Sequence, residues 1–565
     1  MTIFFRNWKP ALRWLVPVCI ILPSYVLPFL FLPSRGFWIN DGGCKYIQTI
    51  SLIRNHYSSA AIPWPGESLD PELEFQPFAF PFGQKIEGEL YGYYSTVFSF
   101  LTSWPYRLCG VRGLYLLPLF GGVALLPAVW IMAGRLPGAW LGQPISVFLV
   151  ALCSPIWFYS VSFWEQTPAV ALISWATVLV LHHLERGGLC SLAGASALGA
   201  VAITLRDDQY LLVGALMGVV ILQRRNLKAT CLAFLIGCCC LSPLWVSHWL
   251  STGNPLGHHI SSVSPLMNGW QAFLLERWIA FKSLLLDAHI RTPISVLLSG
   301  PCLLLWIWRP SKIATQRIDL PRVSLAWSCL LAIVAAWGHW SAEAPLDWMM
   351  RTNGLFVSAP FLLLGFHRFS SSEWSDDPSF TLLRFPLVFT LLYACLSPAT
   401  SLVGIHWGSR HLLALFPVMG ALAGSFLGYR WQKRDWGVLA WTGVVCVVVF
   451  TFLLQLHSLH LLHQRKSFCE ELNRRVAERE EEVVVTVNWY LPQELAMVFF
   501  EKCLFLAQTP KEEDLLLDRL RSQGVRRVLR IGTSPRRRSD AITWARMQDE
   551  MGFLDLELQS LELEP

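Results

Sequence analysis

Apolar stretches about twenty residues long recur along this chain, and no other feature restricts its fold as strongly. The segment "LLPLFGGVALLPAVWIMAG" (116–134) carries no charge. Windows of about 18–22 such residues are long enough to cross a hydrocarbon layer of ~30 Å. Within that layer only helices or a closed barrel satisfy every backbone group. With 54% apolar and 15% charged residues over 565 positions, the chain is not a soluble enzyme, and an α-helical polytopic membrane protein is expected. Walking the apolar runs places thirteen spans near 11–33, 113–134, 139–159, 165–184, 190–205, 208–223, 229–249, 293–309, 322–339, 352–367, 383–403, 410–428 and 436–458. The short pair at 190–223 reads equally as a re-entrant hairpin, which leaves the parity of later spans unchanged.

Basic residues then set the expected sidedness. With the N-terminus in the cytoplasm, each even-numbered span is followed by a basic loop: Arg135; Arg186; Arg224, Arg225 and Lys228; Arg309, Lys312, Arg317 and Arg322; Arg368 and Arg384; Arg430, Lys433 and Arg434. Among the short opposite connections, "SVSFWEQTP" (160–168) carries no Lys or Arg and "TLRDDQY" carries one. Arg6, Lys9 and Arg13 precede a first run broken by Pro17, Pro23 and Pro28, with no convincing cleavage site, so an uncleaved first span is expected.

This topology puts residues 34–112 in a large external loop. Its apolar, aromatic part "GYYSTVFSFLTSWPYRL" is expected to lie along the interface; the rival reading, a further span, would spoil the charge pattern. A second external loop covers about 250–292. The boundary between a membrane domain (1–462) and a small external α/β domain (463–565) is drawn where composition turns from apolar to "RKSFCEELNRRVAEREEE". No glycine-rich phosphate loop accompanies the early strands of that tail, and "SPRRRSD" reads as a solvated loop, so no nucleic-acid partner is expected. Most of the fifteen cysteines lie in apolar runs as small hydrophobes, whereas Cys44 and Cys109 share the first loop and are free to pair in an oxidising compartment.

Charge at membrane depth is costly and usually functional. On the expected outer side it gathers at span ends: Asp41 and Lys45 in "WINDGGCKY", Lys85 in "GQKIEGELYG", Glu165 in "SFWEQTP", Arg206 with Asp207 and Asp208 in "TLRDDQY", and Arg410 with His411 in "WGSRHLL". An acid here can take a proton from a sugar hydroxyl, and nearby cations can stabilise a lipid phosphate as its bond breaks. Trp38, Trp64, Tyr91 and Trp164 offer flat faces to a sugar ring. Each residue also has a plainer role: Asp41 as a turn acid in "NDGG", Glu165 as a first-turn acid, Arg206 as a snorkelling anchor, Lys85 as a loop cation. His258 and His259 lack a third ligand at suitable spacing for a zinc site.

In order, "WINDGGCKY", "GLYLLPLFGGVALLPAVWIMAGRL", "CSPIWFYSVSFWEQTPAV", "GAVAITLRDDQYLLVGAL" and "WGSRHLLALFPVMGALAG" resemble the GT-C superfamily of membrane glycosyltransferases, in particular bacterial members similar to the aminoarabinose transferases and the protein O-mannosyltransferases. The resemblance covers nearly the whole chain and rests on the order of these segments.

It implies that Asp41 and Glu165 are catalytic, Asp41 activating the acceptor. It also implies that Lys45, Lys85, Arg206, Arg410, Trp38 and Trp164 bind substrate. The implied donor is a polyprenyl-phosphate monosaccharide, transferred with inversion at the outer face of the cytoplasmic membrane to a lipid, glycan or protein acceptor. No cofactor is expected, and a divalent metal is left open. Two departures stand out: Gly42 follows Asp41 where many relatives carry a second acid, and Lys45 is displaced by one position relative to the aminoarabinose type, so lipid A specificity is not expected. The glycines beside Asp41 are expected to let the loop approach the sugar and reorder. The alternative is a polyprenyl-lipid transporter or a non-catalytic lipid-linked-sugar binder.

Overall fold

The computed structural model describes residues 10–78, 82–224, 227–256, 270–286, 320–340, 354–366, 378–397, 405–533, 545–548 and 555–563. The span expected near 293–309, His258 and His259, residues 257–269 and 287–292 of the expected 250–292 loop, and "SPRRRSD" lie outside them.

The apolar runs fold into helices α1 (Pro10–Phe31), α2 (Asn40–Arg54), α3 (Thr96–Cys109), α4 (Leu116–Gly134), α5 (Ala139–Leu152), α6 (Ile156–Ser160), α7 (Gln166–Arg186), α8 (Leu189–Leu205), α9 (Gln209–Arg224), α10 (Leu227–Thr252), α11 (Trp270–Leu285), α12 (Leu320–Trp340), α13 (Leu355–Ser358), α14 (Pro378–Leu396), α15 (Leu415–Lys433) and α16 (Val438–Ala477). Among the described residues, four helical stretches are long and apolar enough to cross a membrane: Thr96–Gly134, Gln166–Arg186, Lys228–Leu250 and Val438–Ala477. Shorter apolar helices accompany them, and the chain is a multi-pass membrane protein.

Several expected spans are interrupted. Residues 139–159 break at Cys153 between α5 and α6, and 352–367 breaks at Pro360, after α13, into a 3-10 turn. The pair at 190–223 forms two separate helices. The interfacial candidate is α3, separated from α4 by a left-handed Gly110 (φ 62°) and a 3-10 turn.

Close backbone contact joins α5 to α15. A Cβ on Gly424 would stand 2.5 Å from the Ser146 nitrogen, and one on Gly428 would stand 2.5 Å from the Gly142 nitrogen. Gly420, Gly424 and Gly428 recur every four residues on one stripe of α15. Without a hydrophobic drive between helices in lipid, such stripes let backbones approach and gain dispersion contact.

Beyond the bundle, β3 (Val483–Thr486), α17 (Leu491–Glu494), β4 (Cys503–Leu506), α18 (Pro510–Ser522), β5 (Arg527–Thr533), β6 (Ala545–Gln548) and β7 (Asp555–Glu562) build a five-stranded sheet in the order β4-β3-β5-β7-β6. β3 pairs in parallel with β4 and β5, whereas β7 runs antiparallel to β5 and β6. β3 is buried throughout, as expected of a central strand. A capping box between Thr509 and Glu512 starts α18.

The sheet shares one hydrophobic cluster with the first loop. Trp64 donates to the Leu504 carbonyl (2.9 Å), Phe75 accepts from Leu506 N–H (3.1 Å), and Phe78 stacks on Phe499. Arg519 on α18 pairs with the fully buried Asp70 at 2.7 Å. The helix α16 runs unbroken through residue 463, and Arg465 on its extension forms a buried 2.6 Å pair with Glu494. A hairpin of β1 (Gly83–Ile86) and β2 (Glu89–Gly92) completes the loop. Cys44 is buried, Cys109 is exposed, and both are free thiols.

Candidate active site

At one end of the bundle, four separated stretches of chain bring acids and cations together. Asp41 and Lys45 lie one turn apart on α2, so they share a face. Asp41 sits in the first helical turn, not on a flexible loop as expected. The two glycines after it are helical, and their reason is space: a Cβ on Gly43 would fall 1.9 Å from the Gln493 carbonyl oxygen of α17. Here glycine permits contact between α2 and α17, not motion.

The Lys45 ammonium lies 2.7 Å from Glu165 Oε2, with only 2% of its side chain exposed. The atoms are close enough for an ion pair, although their angles fall outside hydrogen-bond geometry. Glu165 precedes α7 and accepts from Arg206 NH1 through its other oxygen (3.3 Å). Arg206, at the end of α8, also grips Asp208 with two nitrogens, Nε to Oδ1 at 3.0 Å and NH2 to Oδ2. Asp208 accepts from Gln209 (2.7 Å) and lies 3.9 Å from His411 Nδ1. Arg410 Nε donates to His411 Nε2 (3.1 Å), and Arg410 NH1 stands 3.7 Å from Asp41 Oδ2. The chain of contacts therefore runs from Lys45 through Glu165, Arg206, Asp208, His411 and Arg410 back to Asp41, on the helix that starts it.

Three carboxylates alternate with three permanent cations, so the ring has no net charge with His411 neutral. His411 Nε2 accepts a hydrogen bond from Arg410, which requires that nitrogen to be unprotonated. Burial works to raise the Asp208 pKa, but the Arg206 charge outweighs it and holds that carboxyl well below the usual range. Burial and the neighbouring Asp41 carboxylate push the Tyr94 phenol well up. Tyr94 is fixed by a bond from Gln48 to its carbonyl (3.0 Å), and its ring lies 4.4 Å from Lys45.

The other expected residues fall as follows. Trp164 is buried between Lys45 and Arg410, each 5.5 Å from its ring. Trp38 is buried edge-on against Phe158 and donates to the Ile405 carbonyl. Trp64 is committed to the sheet. Lys85 extends from the exposed hairpin and donates to the Glu72 carbonyl (2.7 Å), outside the ring. Sequence reasoning left Asp208 and His411 as neighbours of the named cations and missed Tyr94 and Tyr393, whose hydroxyl lies 2.7 Å from His411. The run "TLRDDQY" was a signal for Asp208; nothing local marked the tyrosines. Among the described residues, no group of three or more His, Cys, Asp or Glu side chains is placed to hold a metal ion.

Helix ends that converge on a charged ring, covered by a long first loop and a small sheet, make up a fold found also in solved structures of other proteins. ArnT, the aminoarabinose transferase of Cupriavidus metallidurans, bound to undecaprenyl phosphate, superposes with a TM-score of 0.55 and 10% identity over 98% of each chain. The oligosaccharyltransferase of Archaeoglobus fulgidus, in complex with Zn and sulfate, gives 0.51 at 12% identity, covering 92% of this chain and 67% of that one. At such identities the likeness is one of fold. By sequence, no family model and no curated protein matches.

Proposed function

We propose that the protein is an inverting membrane glycosyltransferase that moves a monosaccharide from a polyprenyl-phosphate donor to an acceptor hydroxyl or amine at the outer face of the cytoplasmic membrane. One observation carries the reading: of the three ring acids, Asp41 alone has its cation beyond hydrogen-bond distance, Arg410 at 3.7 Å, and otherwise meets the neutral Tyr94 phenol, while Glu165 and Asp208 are each gripped more closely by cations.

In this scheme an acceptor lone pair attacks the anomeric carbon as the sugar–phosphate C–O bond breaks. The bonding pair leaves on the lipid phosphate, and Asp41 takes the acceptor proton. Arg410, 17% exposed at its side chain, is the ring cation best able to turn toward the departing phosphate. Glu165 positions Lys45 and Arg206 without touching the reacting atoms. The ArnT structure, which holds a polyprenyl phosphate, supports the donor class, and the alternation of basic loops supports the sidedness.

The test uses membranes holding wild type or Asp41→Asn, incubated with radiolabelled polyprenyl-phosphate sugars. Wild type is expected to transfer label and Asp41→Asn to lose about 10²–10⁴-fold of the rate, the usual share of a general base. Equal transfer by both would remove Asp41 from the chemistry. No transfer by wild type from any donor would favour a non-catalytic lipid-linked-sugar binder or transporter.

A further inference from the structure

A second basic site lies apart from the ring. The linker after α1, the turn before α4 and the extension of α16 border a small, solvent-open cleft lined by Pro28, Phe29, Leu32, Ser34, Arg112, Tyr115, Val161 and Lys466. Its wall holds two cations and no acid. Lys466 is 2% exposed, and its ammonium lies 3.9 Å from the Tyr115 ring centre. Among the described residues it makes no ion pair within 4 Å and no side-chain hydrogen bond; the nearest acid acting on it is Glu470, one turn along the same helix.

Other buried cations behave differently. Lys45 faces Glu165, Arg465 faces Glu494, and Lys502 donates to two carbonyls. A buried ammonium without such partners is costly: burial lowers the Lys466 pKa to about 7, and a bound anion would restore its charge.

The geometry is fixed rather than incidental. Tyr115 donates to the Ser34 and Gly36 carbonyls (both 3.1 Å) and so pins the linker. Gly36 then packs so tightly that a Cβ there would stand 1.9 Å from the Lys466 carbonyl oxygen. Pro28 and Phe29 of the cleft belong to α1, on which Leu27, Leu30 and Phe31 are exposed. A ligand here meets cations at one end and an exposed apolar helix at the other.

We infer that Lys466, Arg112 and Ser34 bind the phosphate of an anionic membrane lipid, whose chains follow the exposed apolar face of α1. The site shares no residue with the Asp41 ring, so it stands or falls independently of sugar transfer.

The purified full chain in detergent is titrated with acyl-labelled phosphatidylglycerol, and acyl-labelled phosphatidylcholine serves as the zwitterionic comparison. Phosphatidylglycerol is expected to bind tighter. Lys466→Met and Arg112→Gln are each expected to weaken its binding about tenfold or more, the worth of one charge-assisted contact. Arg112 is exposed, so its variant retains the fold even if Lys466→Met does not. Unchanged affinity in both variants would overturn the assignment. Displacement by inorganic phosphate as effective as by unlabelled phosphatidylglycerol would also overturn it, reducing the site to a free-anion pocket.

Discussion

Glu165→Gln removes the one anion that two buried cations share, and the structure sets the size of the effect. At an effective dielectric of about 20, unit charges 2.7 Å apart attract by about 6 kcal/mol and charges 3.3 Å apart by about 5 kcal/mol. Desolvation costs several kcal/mol per ion, which cancels most of this while the pairs are intact. The substitution removes the attraction but leaves Lys45 buried, so a loss of about 3–5 kcal/mol is expected. Lys45→Met costs less, about 1–3 kcal/mol, because Glu165 keeps Arg206. In the double variant Arg206 still holds Asp208, and no cation is stranded beside it. The double variant is therefore expected to be more stable than the summed singles by about 2 kcal/mol.

The measurement is denaturant unfolding of purified protein in micelles, followed through the fluorescence of its 27 tryptophans. Midpoints are compared at constant slope, so that altered compactness is not mistaken for altered stability. Asp41→Asn serves as the control; its looser contact predicts a change of about 1 kcal/mol or less. Additivity of the two singles to within about 0.5 kcal/mol would refute the ring as a coupled unit. So would an Asp41→Asn cost as large as that of Glu165→Gln.

Gly43→Ala is expected to cost more than the 1–3 kcal/mol typical of overpacking, because the obstruction is backbone, while Gly214→Ala, whose Cβ meets nothing within 4 Å, should be neutral or stabilising by up to about 1 kcal/mol. Thermal melts of the two variants check this contrast. Arg519→Ala strands the buried Asp70 and should expose residues 56–78 to limited proteolysis at lower protease concentration than wild type needs. The Asp208 carboxyl is depressed in the folded state, so its stabilisation is complete above the ordinary Asp pKa of about 3.9 and is lost only as pH falls below it. Arg206→Met should accordingly move the acid limb of the melting-temperature profile to higher pH than in wild type.

The bundle was legible because its cause is local: an apolar run of sufficient length has few alternatives in lipid. Where a run was read as one span and the structure breaks it, the cause is also local, as at Pro360. The shift in composition at residue 463 does not end a helix. The residues beyond it stay helical and make surface pairs such as Arg474 with Glu471 and Glu478. The stripe of Gly420, Gly424 and Gly428 was readable in principle as a packing seam, but its partner on α5 was not. The ring acids and cations were found because charge is scarce in such a chain. Their pairing was hidden, since Lys45 with Glu165 and Asp41 with Arg410 join positions far apart in sequence.

Neutrality of the ring explains why one member differs from the rest. At a membrane face a cluster of buried charges is tolerable only if each is answered, and three acids against three cations achieves that. A fully answered acid is a poor base, since its cations stabilise the charge that proton uptake would remove. Glu165 lies between Lys45 and Arg206, and Asp208 is held through both oxygens, so neither is free to react. Asp41 has a single cation at a distance beyond hydrogen bonding, and that cation is the most exposed of the three. Under the proposed reaction, a donor phosphate that draws Arg410 toward itself takes from Asp41 the one cation that lies within 4 Å of it among the described residues. Donor binding and base strength are then linked through one guanidinium, and Arg410→Lys, which keeps charge but loses the planar fork, is expected to lower the transfer rate more than donor affinity. Equal loss of both in steady-state kinetics would break that link.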